Sequence, residues 1–230
     1  MCLTFGRVFL LEESIQSFLR QTYAGPMELV IVNDLAEQTL VLPDCPDNIR
    51  VFNLDTRCDN LGQKRNEVAK LCSSELIITW SDDDIHLPNR IANNVAAYTP
   101  GKYVTEGRYV FLSGPNSKHV KHRMCGPFLM SKEDFWSLGG IPDADNGEDL
   151  LFLNKVRAQL KVVEAPDTNY IYRWETGRFH ASHLDKKQNA WQRYHDIVKQ
   201  TLRDGREPSG VVKLKPNWKV DYVALASTFQ

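Results

Sequence analysis

Two kinds of apolar run alternate along the first hundred positions. Residues 2–5 read as the end of a strand, and 28–32, 49–54 and 75–80 are short, largely apolar stretches of the kind that fill strands buried on both faces. Between them, Leu11, Ile15, Phe18 and Leu19 recur at helical spacing as far as Tyr23, a helical pattern covers 61–71, and Pro88 opens another helix reaching Tyr98. Gly25-Pro26 closes the first helix, and a polar, Pro-containing loop separates the second and third strands. The order strand, helix, strand, strand, helix, strand predicts an α/β fold with a Rossmann-like, mostly parallel central sheet flanked by helices. In such sheets ligands sit beyond the carboxyl ends of the strands, where this chain carries Thr4, Asp34 and Asp82 to Asp84.

After residue 100 the pattern changes. Residues 102–106 and 108–112 predict short antiparallel strands around Gly107, and Gly114-Pro115 opens a mobile basic loop containing His119, Lys121, His122 and Arg123. Ser131 and Asp134 form a capping box for a short helix ended by Gly139-Gly140. Asp145 or Asn146 caps a further helix with Glu148 and Asp149 in its first turn. Strands at 161–164 and 170–174, an exposed turn with His180 and His183, a polar helix at 186–203 and a tail punctuated by Gly and Pro complete the chain. This predicts one domain over 1–184, with halves at 1–100 and 101–184, the second being smaller and antiparallel, followed by a C-terminal helix and tail at 185–230.

Composition narrows the classes. The chain has 230 residues, enough for a sizeable core, with 42% hydrophobic and 25% charged residues, ordinary proportions for a soluble protein. No stretch approaches the roughly 18 apolar residues of a spanning helix. A formal charge of -1 provides no global field for nucleic acid or anionic lipid. The five cysteines are scattered without CxxC spacing, which argues against zinc or a disulfide framework and suggests a reducing cytoplasm; no secretory leader is visible. Lys213, Lys215 and Lys219 around Trp218 make a basic-aromatic tail, either solvated or suited to an acidic partner.

The candidate chemistry centres on the end of the 75–80 run. Packing Asp82, Asp83 and Asp84 at a buried strand end costs Coulomb energy unless a cation sits there. Asp oxygens suit Mg²⁺ or Mn²⁺, ions that keep waters and take further ligands from a substrate's phosphates. The plainer alternative is a solvated acidic turn leading into the Pro88 helix.

Other pieces accompany the acids: Thr4-Phe5-Gly6-Arg7, Asn33-Asp34, Gly62-Gln63-Lys64-Arg65-Asn66, Gly126-Pro127-Phe128-Leu129-Met130, Gly147-Glu148-Asp149 and His180-Ala181-Ser182-His183. In this order and spacing the chain resembles a family 2 glycosyltransferase with the GT-A fold over roughly residues 2–184. The resemblance implies a nucleotide-sugar donor, most simply a UDP-sugar, a Mn²⁺ or Mg²⁺ cofactor and transfer to an acceptor hydroxyl with inversion. It implies Thr4, Arg7 and Asp83 at the nucleotide, Asp82 on its ribose, Asp34 on the base and Arg65 on base or phosphate. Asp84 would hold the metal that bridges the two phosphates, His180 would complete its shell, Asp149 would be the general base, and Glu148 would orient the acceptor or the helix start. Ser81 stands where relatives often carry another acid, which leaves the assignment among the three aspartates open by one position. The acceptor is equally open among glycan, protein, lipid and modified nucleic acid. Two alternatives share the sheet: a sugar nucleotidyltransferase, against which only one glycine follows the first strand, and a non-catalytic sugar- or nucleotide-binding module, which an inward-facing Asp149 would favour.

Overall fold

The computed structural model describes residues 1–145, 147–174 and 190–229. Its first half contains β1 (Cys2–Thr4), α1 (Val8–Leu19), β2 (Leu29–Asn33), β3 (Gln38–Val41), β4 (Ile49–Asn53), α2 (Leu61–Leu71), β5 (Leu76–Ile78), β6 (Trp80–Ser81), β7 (Ile85–His86) and α3 (Arg90–Ala97). Strands β4, β2, β1 and β6 lie side by side in that order, all parallel. Successive side chains of β2 alternate between two cores, as the pleat of a strand dictates. Leu29 and Ile31 join Leu11, Ile15 and Phe18 of α1, whereas Val30 and Val32 join Val68 of α2 with Phe128, Phe135 and Phe152.

The second half adds β8 (Lys102–Glu106), β9 (Arg108–Leu112), β10 (Lys118–Lys121), β11 (Phe128–Ser131), α4 (Lys132–Ser137), α5 (Glu148–Gln159), β12 (Lys161–Ala165), β13 (Tyr170–Arg173), α6 (Ala190–Arg203), β14 (Gly210–Lys213) and α7 (Tyr222–Ser227). Two mixed sheets, ordered β12-β8-β11-β5 and β10-β9-β13-β7, flank the parallel one. The expected single strand at 75–80 is divided at Thr79. Thr79 N donates to Phe128 O at 2.9 Å in one sheet, and Trp80 N donates to Met1 O at 2.7 Å in the next. This one segment therefore joins two sheets and delivers the acids at its end.

Several expectations change. β8 and β9 belong to different sheets and do not pair with each other, because the single residue Gly107 is shorter than the two-residue loop of the tightest common hairpins. The segment anticipated as a mobile basic loop contains β10, paired antiparallel to β9 with His119 opposite Val110. The cap of α5 is Gly147, in the left-handed conformation at φ 75°, and no side-chain bond to Asp145 caps it. β3, anticipated as loop, pairs in parallel with β14 from the tail. Trp218 is packed on α1, where its Nε1 donates to Glu13 O and Ser17 Oγ, both at 3.1 Å. The Ser131 cap forms as expected, its Oγ accepting from Asp134 N at 2.9 Å.

Candidate active site

Three carboxylates are withdrawn from water at the end of β6. Asp82, Asp83 and Asp84 are 1%, 6% and 2% exposed, and each needs compensation at that depth. Arg7, just after β1, supplies most of it. Its Nε donates to Asp82 Oδ2 at 3.1 Å, a second nitrogen pairs with the other oxygen of Asp82, and Nη1 reaches Asp83 Oδ2 at 2.5 Å. Burial raises the pKa of Asp82 while Arg7 opposes the rise. Asp84 faces elsewhere, accepting from the Tyr170 hydroxyl and from Arg173 N at 2.8 Å. Burial, reinforced by the charge of Asp83, pushes Asp84 up to about 7.

A second group of charges converges from α2 and α5. Asn60 caps α2 by accepting from Gln63 N at 2.8 Å, which fixes where Lys64 and Arg65 emerge. Lys64 turns inward, forms an ion pair with Asp34 and donates to Thr4 O at 2.6 Å; Cys58 N donates to the other Asp34 oxygen at 3.0 Å. Arg65 turns the other way, and its Nε donates to Glu148 Oε1 at 2.9 Å. Glu148 is thereby buried and engaged, whereas the neighbouring Asp149 makes a local bond from Leu150 N at 2.8 Å and faces Gly126.

These elements enclose a cavity of ≈ 490 Å³, within the size range of small-molecule sites. Thr4, Arg7, Arg65, Asp82, Asp83, Asp84 and Asp149 all line it. Asp34 and Glu148 do not; they sit one contact behind, through Lys64 and Arg65. His180 and His183 lie outside the described residues. Lys64, quoted only within Gly62-Gln63-Lys64-Arg65-Asn66, and Tyr194 also line the cavity and were given no role from the sequence. Lys64 had only a signal it shares with Arg65: it lies four residues before the fully buried Val68, as Arg65 does before Ala69. Tyr194 had none, because α6 reaches the site from far along the chain, its hydroxyl donating to Phe5 O at 3.4 Å.

A parallel sheet whose strand ends gather carboxylates and cations over one cavity defines a Rossmann-like α/β protein of the GT-A kind. Residues 4–151 match the family described as glycosyl transferase family 2, and the chain belongs to that family; it is a glycosyltransferase. No curated protein matches the sequence. Among solved structures, S. aureus TarS 1–349 in complex with UDP-GlcNAc is 14% identical, with a TM-score of 0.58 over 87% of this chain and 65% of that one. The mannosyltransferase PcManGT from Pyrobaculum calidifontis, in complex with GDP-Man and Mn²⁺, is 16% identical, with a TM-score of 0.53 over 90% and 64%. At these identities the likeness is one of fold. No helix among the described residues is long and apolar enough to cross a membrane.

Proposed function

We propose that this glycosyltransferase moves a sugar from a UDP-sugar to an acceptor hydroxyl, with a bound Mn²⁺ or Mg²⁺ and with inversion at the anomeric carbon. The observation that carries the reading is the presence of Asp149 in the same cavity as Arg7 and the three aspartates. An inward-facing Asp149 would have favoured a binding module; its place on the cavity wall favours catalysis.

The donor set fits a hard divalent ion. It consists of carboxylate oxygens, and Mg²⁺-like ions need only one or two of these beside water and substrate phosphates. This accords with the lack, among the described residues, of any group of three His, Cys, Asp or Glu side chains placed to hold a metal unaided. Asp83 and Asp84 are the candidate ligands; both oxygens of each already accept bonds, Asp83 from Arg7 and Ser81 and Asp84 from Tyr170 and Arg173, so a bound ion would displace one of these donors. When bound, the cation would offset the charge that builds on the departing diphosphate. Asp82 takes the ribose, and Arg7 and Arg65 contribute positive charge toward the phosphates. Asp34 braces Lys64 in this reading in place of a base contact. Asp149 accepts the acceptor's proton as the new C–O bond forms, a contribution of about 10²- to 10⁴-fold, while Glu148, held by Arg65, fixes the first turn of α5. The neighbours in complex with UDP-GlcNAc and with GDP-Man and Mn²⁺ support a nucleotide-sugar donor and a divalent ion. The five cysteines, all free thiols, support a reducing cytoplasm.

Calorimetry with UDP, GDP, CDP and TDP, each with Mn²⁺, Mg²⁺ or EDTA, tests the proposal. Metal-dependent preference for UDP is the expected result, and failure to bind any of the four overturns it. Asp149→Asn should retain donor binding and lower transfer by about 10²-fold or more; undiminished transfer would assign the base elsewhere.

A further inference from the structure

Glu13 lies on the face of α1 turned away from Leu11 and Ile15, two residues from each, yet it is only 2% exposed, a position where an unpaired carboxylate would be very costly. Its partners come from the far end of the chain. Arg173 Nη1 donates to Glu13 Oε2 at 2.6 Å, the Tyr222 hydroxyl donates to Glu13 Oε1 at 2.7 Å, and Lys219 N donates to the same oxygen at 3.2 Å. Arg173 in turn grips the acidic turn twice. Its Nε donates to the backbone carbonyl of Asp83 at 2.6 Å, and its backbone N donates to Asp84 Oδ1 at 2.8 Å. Glu13, Arg173 and Tyr222 all lie off the cavity wall, and the latter two lie beyond the stretch that matches the family.

We infer that Arg173 is a positioning residue for the acidic turn, held by Glu13 and Tyr222, so that the seating of α7 on α1 sets where Asp83 and Asp84 point. The charge balance suits the task. Arg7 faces the turn of three carboxylates from the cavity side, and Arg173 adds a second positive charge behind it, its own buried charge being paired with Glu13. The guanidinium is also the right shape, because its planar fork addresses Asp83 O and Glu13 in two directions at once, which the single ammonium of lysine does not. The consequence for ligand affinity rests on the function proposed above; the ordering of the turn does not.

The full-length chain tests this with two measurements. Tyr222→Phe removes one hydroxyl from the Glu13–Arg173 assembly, and Arg173→Lys keeps the charge while losing the fork. The control is Glu12→Ala, which removes the Glu12 Oε1 acceptor of Lys215 N, a 2.7 Å contact that ties the same tail to the same helix without touching Arg173. Amide hydrogen exchange across residues 82–85 should quicken about fivefold in Tyr222→Phe and more in Arg173→Lys, as loss of one or more buried hydrogen bonds implies. The Kd for UDP with Mn²⁺ should rise about fivefold on the same grounds, and Glu12→Ala should move neither while still lowering Tm. Exchange in Tyr222→Phe no faster than in Glu12→Ala overturns the inference even if Arg173→Lys fails to fold. Faster exchange with an unchanged Kd overturns the link to the site. A wild-type chain that binds no nucleoside diphosphate overturns the proposed function, while the exchange data still decide the positioning role.

Discussion

Lys64 carries its ammonium into a space almost closed to water, where its side chain is 3% exposed and that of its partner Asp34 is fully buried. Such a pair adds little net stability over apolar residues, but removing one member leaves an uncompensated charge, at about 3–5 kcal/mol. Lys64→Met should therefore destabilise the protein by that amount in urea unfolding. Adding Asp34→Asn, which retains an oxygen to accept from Cys58 N, should return at least half of the loss. Strict additivity of the two changes would argue that the ion pair is not what the buried space is built around. The exposed pair of Lys70 with Glu67, with side chains 57% and 38% exposed, offers a contrast; its disruption should cost at most about 0.5 kcal/mol. At this scale the sequence showed which charges gather at strand and helix ends, but not which of two adjacent cations turns inward. Lys64 and Arg65 are separated by one step around α2, and each has a fully buried residue one turn later, Val68 and Ala69, so the helical period does not distinguish them.

Among elements, the docking of α2 against the sheet depends on a carboxylate that titrates in an unusual range. Glu28, just ahead of β2, accepts from Arg50 of β4 at 2.5 Å and from Ser73 N and Ser74 N, just past α2, at 2.5 and 3.0 Å. Burial acts to raise its pKa, but the bonds from Arg50 and the serines outweigh it and bring the pKa to about 2. The folded value lies below the unfolded one, near 4.5, so the unfolded chain binds the proton more readily in between. The stabilisation is complete above pH 4.5 and is lost as the pH falls toward 2. In urea unfolding from pH 6 to pH 2.5, Glu28→Gln should remove part of the acid-induced loss seen in the wild type; parallel curves would mean that other carboxylates control it. Legibility also differed by element. The bounds of α2 were readable from its period, since that signal is local. β3 and β14 were not, because each buries little beyond one or two residues of a face and each finds its partner about 170 residues away. The crossing at Thr79 was hidden for a related reason: a continuous apolar run says nothing about changing sheets midway.

Across the whole molecule, the C-terminal segment closes over the strand ends. Val198 of α6, fully buried, packs in one cluster with Phe5, Leu35 and Tyr194, next to the residues that line the cavity. Gly6 is what permits the approach. Its φ is +66°, and a β-carbon there would lie 2.4 Å from Val198 Cγ1 and 3.3 Å from Leu35 Cδ2. Two costs would follow from Gly6→Ala: a left-handed backbone for a residue with a side chain, at about 1–3 kcal/mol, and overpacking against α6, at about another 1–3 kcal/mol. They can be separated, because only the second depends on Val198. Gly6→Ala alone should lower stability by about 2–6 kcal/mol as the sum of the two. Val198→Ala alone opens a small cavity at a cost of its own, roughly 1–3 kcal/mol, so the double variant should be less destabilised than the sum of the singles by the overpacking share. A double-mutant cycle in urea gives the interaction directly. A coupling of at least about 0.5 kcal/mol between residues so far apart in sequence is the expected result, since packed neighbours couple by that much or more. A coupling near zero would mean that α6 yields to the added methyl without resisting it, and that the strand end and the helix are not packed as one unit.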